Sequence, residues 1–423
     1  VSHNASEAVR PRTVVQKFGG SSLATQELRE VAASRVLETR ARGVLPVVVC
    51  SAMGRAPDPY ATDTLAGLIG PVRGGPNRDL ILGCGELISC AVFAELLRYY
   101  GAEAQAMTGA QAGIFTDESF ANAKILNVDP SNVLAALEEG IIPVIAGFQG
   151  VSPAGALTTL GRGGSDFTAV ALGDALGSDS VDIYTDVSGV MTGDPRRVDG
   201  ARTILRVNYE EMVELAGQGA KVMHDKAASY ARVTRTPYSI KGLSSNVGTT
   251  IDEGLQIERM RPVTGITALR DIASVSVLRE TVVDQASRER FEVALFGRLA
   301  DDGISIDMVN VNAGGIFFVF DAQDIPQVKR HLDQLAVAAD IRPHCAKLSI
   351  VGAGMRGTSG VAYRVVHALV EAGVRIIHTT DSNITISVLV SEDDVARAEQ
   401  ALHDAFRLAR PPAGRAPDGP VHD

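Results

Sequence analysis

Apolar and polar positions alternate in two rhythms along these 423 residues, and the rhythm changes near residue 250. Upstream, apolar runs of strand length at 13–18, 45–49, 141–146, 181–185 and 237–240 are separated by longer stretches with helical spacing. Helices are predicted from Gln26, over 86–98 and over 167–176, the last after an extended segment at 156–160. Strands separated by helices predict a mostly parallel sheet covered on both faces, with ligands held beyond the carboxyl ends of the strands.

Downstream the pattern becomes a repeat. A strand at 274–278, a helix near 288–299, strands at 304–311 and 315–320 and a helix near 326–335 form one cycle. The second has a strand at 348–351, a helix over 361–372, strands at 374–379 and 385–390 and a helix from Ser391. Ala300-Asp301-Asp302-Gly303-Ile304-Ser305-Ile306 echoes Val370-Glu371-Ala372-Gly373-Val374-Arg375-Ile376. Two tandem βαββα(β) modules are expected, the alternative being one continuous α+β domain. The expected partition is a disordered 1–12, an α/β domain over 13–250, modules over 262–338 and 343–410, and a disordered 411–423.

Composition narrows the function. With 45% apolar residues and 42 glycines the chain reads as a globular α/β protein. Its net charge of −10 is spread thinly, so nucleic acid is not an expected partner. No apolar run reaches the roughly 20 residues of a membrane span, and the first dozen residues carry no apolar leader, so no membrane is expected. Cys50, Cys84, Cys90 and Cys345 form no C-x-x-C pair, which fits a reducing cytoplasm and argues against a protein-held metal.

The candidate chemistry is that of an anion site for an acidic small molecule. Thr159-Leu160-Gly161-Arg162-Gly163-Gly164-Ser165-Asp166 sets a cation and a carboxylate among glycines where an extended segment meets a helix. Backbone N–H groups there receive an anion, and Arg162 can fork onto a carboxylate. Lys17-Phe18-Gly19-Gly20-Ser21-Ser22 ends a strand in a phosphate cradle, although a G-x-x-x-x-G-K-[ST] loop is absent. A third strand opens onto Thr185, Asp186, Asp194 and Arg196, with Lys221 as a further cation suited to a ribose or polyphosphate. In Gly83-Cys84-Gly85-Glu86-Leu87-Ile88-Ser89, Glu86 is read at a helix start, either complementing the helix dipole or binding an ammonium group.

Taken in order with Ser244-Ser245-Asn246-Val247-Gly248-Thr249, these motifs resemble the successive signatures of the aspartate kinase family over nearly the whole chain. The 51–64 stretch is similar to the subtype that answers to diaminopimelate. The resemblance implies an amino-acid-kinase α/β fold, a mostly parallel sheet sandwiched by helices, followed by two ferredoxin-like (βαββαβ) ACT domains. It implies that ATP with Mg²⁺ phosphorylates the β-carboxylate of L-aspartate to 4-phospho-L-aspartate. Lys17 and Asp166 would serve the transfer. Arg162 would hold the substrate's α-carboxylate and Glu86 its ammonium, with Ser22, Thr62 and Ser165 as nearby hydroxyls. Gly19, Gly20, Ser21, Thr185, Asp186, Arg196 and Lys221 would surround the nucleotide, and Mg²⁺ would be held largely by ATP oxygens.

An effector, lysine, threonine or diaminopimelate, would bind where ACT domains pair. The matching positions are Asp307, Met308, Asn310 and Asn312 in the first module and Thr379, Asp381, Ser382 and Asn383 in the second, against the alternative of ordinary strand-edge polarity. Homo-oligomers through the ACT domains follow. Leu87, Gly193 and Asp225-Lys226 depart from the family's common residues, the last placing an acid close to Lys221. Gly352-Ala353-Gly354-Met355-Arg356-Gly357 formally matches a dinucleotide fingerprint, but falls in a repeat too short for a Rossmann half and is read as a strand–helix turn. Two other functions stay open: the same kinase fold acting on a different acid, and an amino-acid sensor with an inactive kinase domain.

Overall fold

The computed structural model describes residues 12–70, 74–220, 222–245, 247–253, 261–278, 285–312 and 314–410. The expected tails fall outside these residues, apart from Arg12. The chain divides into two compact units. The first takes the described residues through Val190, Thr203–Gly217 and 222–253; the second takes Met191–Arg202, Gln218–Ala220 and the described residues from 261 onward. The expected division at 250 therefore misses two short segments that pack with the C-terminal modules.

In chain order the first unit contains β1 (Thr13–Phe18), α1 (Gln26–Ala41), β2 (Leu45–Cys50), α2 (Thr62–Gly67), α3 (Pro76–Tyr99), β3 (Ala104–Met107), β4 (Ile114–Thr116), β5 (Ile125–Val128) and α4 (Ser131–Glu138). It continues with β6 (Ile142–Ala146), β7 (Gln149–Val151), β8 (Leu157–Thr159), α5 (Gly164–Leu176), β9 (Ser180–Thr185), β10 (Arg206–Asn208), α6 (Tyr209–Gly217), α7 (Asp225–Thr234), β11 (Tyr238–Gly242) and β12 (Gly248–Asp252). The large sheet runs β10-β12-β11-β9-β1-β2-β6-β3, and a second sheet runs β5-β4-β7-β8. In the large sheet β11, β9, β1, β2, β6 and the edge strand β3 run parallel. The side chains of β1, β2 and β6 are almost continuously buried, as two covered faces require, while β12 pairs antiparallel with β11 and the short edge strand β10 runs parallel to β12.

One element departs instructively from its expected span. Helix α3 begins at Pro76, ten residues before the expected start, with proline in its first turn where no N–H is needed. Gly83 and Gly85 lie inside it as contact points. A Cβ on Gly85 would stand 2.8 Å from both the Ala52 Cβ and the Tyr60 carbonyl oxygen, and one on Gly83 would stand 3.0 Å from Leu157. The helix is long and apolar enough to cross a membrane, yet half of its apolar window is buried in this unit, where Phe93, Ala94 and Leu97 join the core.

The second unit contains β13 (Gly265–Leu278), α8 (Gln285–Asp301), β14 (Ile306–Asn312), β15 (Gly315–Asp321), α9 (Ile325–Gln334), β16 (Asp340–Val351), α10 (Val361–Glu371), β17 (His378–Asp381), β18 (Thr385–Ser391) and α11 (Val395–Ala405). They form one antiparallel sheet, β14-β15-β13-β16-β18-β17. Two helical layers cover it, one core gathering α8 and α9 and the other α10 and α11. The modules are not simply in tandem. Residues 265–269 pair with the end of β16, and Val263 and Ile266 belong to the core of the second module, so β13 and β16 each run through both modules. Register shifts interrupt that pair around Ile272, where Asp271 and His344 hold positive φ. The two half-sheets thereby bring Ile272, Met308, Val319, Cys345 and Leu389 into a separate apolar cluster.

The Gly352 turn is accounted for by packing. A Cβ there would fall 2.2 Å from the backbone oxygen of Pro262, whereas Gly357 meets nothing within 4 Å but holds φ +78°. Gly352→Ala is expected to destabilise the C-terminal unit by about 2 kcal/mol or more through backbone overlap. Gly357→Ala is expected to cost about 1 kcal/mol through its left-handed φ. Urea unfolding of both variants checks the order; equal and negligible losses would contradict it.

Candidate active site

The site forms at the carboxyl edge of the parallel strands, because each strand there delivers a loop to the same side. Lys17 is the penultimate residue of β1, with only 8% exposure. Its ammonium nitrogen lies 2.6 Å from Asp166 Oδ1, on the first turn of α5. The following turn is fixed by backbone contacts: Gly19 donates to the Tyr184 carbonyl at 3.1 Å, and Ser22 donates back to the Gly19 carbonyl at 2.9 Å. A Cβ on Gly20 would lie 2.6 Å from the Ala52 oxygen, so no other residue lets this turn press against the loop after β2. Ser22 is buried there and Ser21 is half-buried.

Glu86 faces the same loop. It sits in the third turn of α3, so the expected reading as a helix-start carboxylate, with the dipole as its partner, does not hold. Its carboxylate is 2% exposed; Oε1 accepts the Ala52 N–H at 3.1 Å, while Oε2 has no partner among the described residues. Burial raises its pKa from an ordinary 4.5 to about 8, against the opposing pull of the Ala52 N–H. A carboxylate so placed is poised to charge when a cation arrives.

Arg162 precedes α5 between Gly161 and Gly163, which hold φ +79° and +67°. It is exposed and has no hydrogen bond or ion pair among the described residues, so its guanidinium is available to an anion. Ser165 is buried at the start of α5; a Cβ on Gly147 would lie 2.9 Å from its own Cβ, so glycine after β6 lets α5 approach the sheet. Thr62 opens α2 and is half-buried. Thr185 ends β9 and donates to Asp186 at 3.1 Å, and Asp186 receives Arg55 at 2.9 Å. Arg196 belongs to the second unit, where its guanidinium is bidentate on Asp194 and holds that carboxyl below its usual range. Lys221 lies outside the described residues.

Three supports escaped sequence reasoning. Asp79, fully buried on α3, accepts the backbone N–H of Thr159 at 2.6 Å and of Ala121 at 3.0 Å. Lys226 Nζ donates to Asn122 Oδ1, and a Cβ on Gly161 would lie 2.9 Å from that same oxygen. His224 packs on Gly163, where a Cβ would fall 2.1 Å from its own Cβ. Asp79, Asn122, Lys226 and His224 thus grip the Arg162 loop from both sides. Asp79 precedes Glu86 by seven residues, nearly two turns, and so shares its face; extending α3 back to Pro76 exposes that signal.

Asp307, Met308, Asn310 and Asn312 lie on β14, while Thr379 and Asp381 lie on β17, at the other edge of the sheet. Asp307 is paired with the buried Lys347, Met308 is 4% exposed, and Asn310 and Asn312 bond each other at the β14–β15 turn. Ser382 accepts the Thr385 N–H at 3.1 Å in the β17–β18 turn, next to an exposed Asn383.

Among the described residues no three His, Cys, Asp or Glu side chains gather as a metal site. A divalent ion entering with a nucleotide would find single carboxylates, and its remaining positions suit phosphate oxygens and water.

A model of the Amino acid kinase family matches residues 12–242, and one of the ACT domain matches 348–406. The chain is 37% identical to aspartokinase 1 of Bacillus subtilis (strain 168), over 94% of this chain and 100% of that protein. It is 40% identical to the aspartokinase of Geobacillus stearothermophilus, over 94% and 97% respectively. Its structure is similar to that of E. coli aspartokinase III in complex with lysine and aspartate, with a TM-score of 0.73 and 25% identity over 93% of this chain and 99% of that one. Fold and matches together define an amino acid kinase carrying ACT domains. The chain belongs to the aspartokinase family, as the ordered motifs led one to expect.

Because the folded state holds a proton on Glu86 up to about pH 8 while the unfolded chain releases it near 4.5, this group's contribution to stability falls as pH rises through that window. Urea midpoints measured from pH 5 to 8 should therefore show wild type losing ground to Glu86→Gln as pH rises, by at most about 1.4 kcal/mol per pH unit. A constant difference would contradict the assignment.

Proposed function

We propose that this chain is an aspartate kinase, transferring the γ-phosphoryl group of ATP, bound with Mg²⁺, to the β-carboxylate of L-aspartate to give 4-phospho-L-aspartate. The observation that carries the reading is the presence of an exposed guanidinium, Arg162, and a buried carboxylate oxygen, Glu86 Oε2, each without a partner among the described residues. A molecule bearing both an α-carboxylate and an α-ammonium group complements both. The aspartokinase relatives support the same reading.

The nucleophile is already an anion, so no general base is required. The bond from phosphorus to the bridging oxygen of ADP breaks as that to the β-carboxylate oxygen forms. Catalysis then consists of alignment and of neutralising the transferred group. Lys17, fixed by Asp166 at 2.6 Å, is the cation we assign to that group, with Asp166 orienting it rather than taking a proton. Gly19, Gly20 and Ser21 form the phosphate turn, Thr185, Asp186 and Lys221 attend the nucleotide, and Ser22, Thr62 and Ser165 offer hydroxyls to the substrate. Mg²⁺, held largely by the phosphate oxygens of ATP, would supply further charge neutralisation there.

The C-terminal unit is read as regulatory, with lysine, threonine or diaminopimelate as effector and the edge positions named above as its expected contacts. The solved E. coli relative carries lysine. The exposed Val309 and Val311 on the edge strand β14 favour assembly of copies through this unit. All four cysteines are free, in keeping with a cytoplasmic place.

Hydroxamate formation with L-aspartate, L-glutamate and N-acetylglutamate tests the reading, with strong selectivity for aspartate expected. Lys17→Ala should lower kcat by about 10³-fold. Arg162→Ala should raise KM for aspartate by about 10- to 100-fold while leaving KM for ATP within about two-fold. Asn122→Ala, which loosens the Arg162 loop, should raise KM for aspartate by about three- to ten-fold with kcat nearly unchanged. Turnover of glutamate in preference to aspartate would instead support the same fold acting on another acid, and turnover surviving Lys17→Ala would remove the proposed role of that cation.

A further inference from the structure

The loop that follows β2 touches the catalytic arrangement at successive residues. Ala52 gives its N–H to Glu86 at 3.1 Å, and Gly54 gives its own to the Gly20 carbonyl at 3.0 Å. The next residue, Arg55, is held by a local carboxylate. Asp58 Oδ2 accepts the Arg55 N–H at 3.1 Å, and the Asp58 N–H returns to the Arg55 carbonyl at 2.7 Å. Asp58 folds against Gly54, which holds φ +79° and where a Cβ would fall 2.0 Å from the same Oδ2. The backbone of Arg55 is thus fixed beside the Gly20 turn, and only its long side chain is free to move.

That side chain crosses to the far side of β1. The strands stand in the order β9-β1-β2, and the Arg55 guanidinium, starting from the loop after β2, meets Asp186 Oδ2, just past the end of β9, at 2.9 Å. The ion pair therefore spans the loops on either side of the Gly19-Gly20 turn. The turn is tied to the same two neighbours, by the Gly19 N–H to the Tyr184 carbonyl and by the Gly54 N–H to the Gly20 carbonyl. Lys17 is close at hand, since a Cβ on Gly19 would stand 3.6 Å from its ammonium nitrogen. The Arg55 side chain is 73% exposed and that of Asp186 49%, and a pair so solvated contributes little to the fold. Asp186 also has a second partner, the Thr185 hydroxyl at 3.1 Å from Oδ1, so its carboxylate is not left bare when Arg55 departs.

A polyphosphate is a stronger partner for a guanidinium than one exposed carboxylate, because the planar fork matches two phosphate oxygens that share more charge. We propose that Arg55 is a second phosphate-binding cation of the kinase: the triphosphate of the incoming nucleotide displaces Asp186 from the guanidinium and is held by Lys17 and Arg55 together. The exchange leaves Asp186 to the rest of the nucleotide. This assignment rests on reading the Gly19-Gly20 turn as the phosphate turn.

Isothermal titration of the full chain with MgATP, inorganic tripolyphosphate and adenosine tests the proposal. Arg55→Ala should weaken MgATP and tripolyphosphate by about ten-fold or more and leave adenosine within about two-fold. Arg55→Lys, which keeps the charge and loses the fork, should recover only part of the loss. Arg42→Ala, the removal of an exposed cation at the end of α1, should leave all three ligands within about two-fold of wild type. In hydroxamate assays Arg55→Ala should raise KM for ATP by about ten-fold while KM for aspartate stays within about three-fold. Because Arg55 is exposed, the variant is expected to melt as wild type does. If the ion pair only positioned Asp186, adenosine and MgATP would weaken equally in Arg55→Ala; that result, or MgATP affinity within two-fold of wild type, overturns the proposal. Wild-type turnover of aspartate with MgATP affinity unchanged in Arg55→Ala removes this inference alone. Arg55-dependent MgATP binding without aspartate turnover removes the catalytic reading and leaves the phosphate contact standing, and a wild type that binds neither MgATP nor tripolyphosphate removes both.

Discussion

A buried carboxylate with one oxygen unpaired is costly to a fold, and Glu86 on α3 is the point around which the catalytic unit is arranged. Burial in the third turn of a helix penalises the charge, and a single N–H from Ala52 offsets only part of that penalty. In the proposed reading a ligand's ammonium group meets the remaining oxygen and supplies both the charge and the hydrogen bonds that are missing. Nearly two turns earlier on the same face, Asp79 uses a fully buried carboxylate for the opposite purpose, tying down Thr159 and Ala121 at the base of the Arg162 loop. On the proposed reading one helix sets both arms of the recognition: it carries the acid for the ammonium and anchors the loop that carries the cation for the carboxylate.

The parallel sheet provides the other half of the arrangement. Adjacent strands β1, β2, β6 and β9 end on one side, so Lys17, the Ala52 loop, Gly147 and Thr185 arrive together without any long connection. Close approach is enforced by glycines whose Cβ would collide with backbone or with Ser165. The Lys17–Asp166 pair is nearly buried, and its short separation fixes the ammonium before a nucleotide arrives, which limits the reorganisation left for the reacting state.

The catalytic strands and the ordered Gly-rich motifs were legible in the sequence because short buried apolar runs and their polar loops carry strong local signals. Helix α3 was less legible. Gly83 and Gly85 look like a turn when only propensity is weighed, and become helical because Ala52, Tyr60 and Leu157 press against them. With its start misplaced, Glu86 appeared to be a helix-start acid and Asp79 did not stand out. Asn122 and Lys226 meet across more than a hundred residues, a contact that no local pattern encodes. The C-terminal repeat was visible, but its strand exchange was not: residues 265–269 serve the module that otherwise begins seventy residues later, a consequence of long-range pairing with β16. The same pairing places Ser274 beside Arg342, a juxtaposition absent from any linear motif.

The central claim is that Glu86 reads the ammonium group of the substrate. It is tested most directly by comparing kcat/KM for L-aspartate with that for succinate, which keeps both carboxylates and lacks the amine, in wild type and in Glu86→Gln. Wild type is expected to favour aspartate by about 100-fold or more, and the variant to lose most of that preference, since the discrimination comes from one buried charge-assisted contact. An undiminished preference in Glu86→Gln would contradict the account and assign the ammonium to another group.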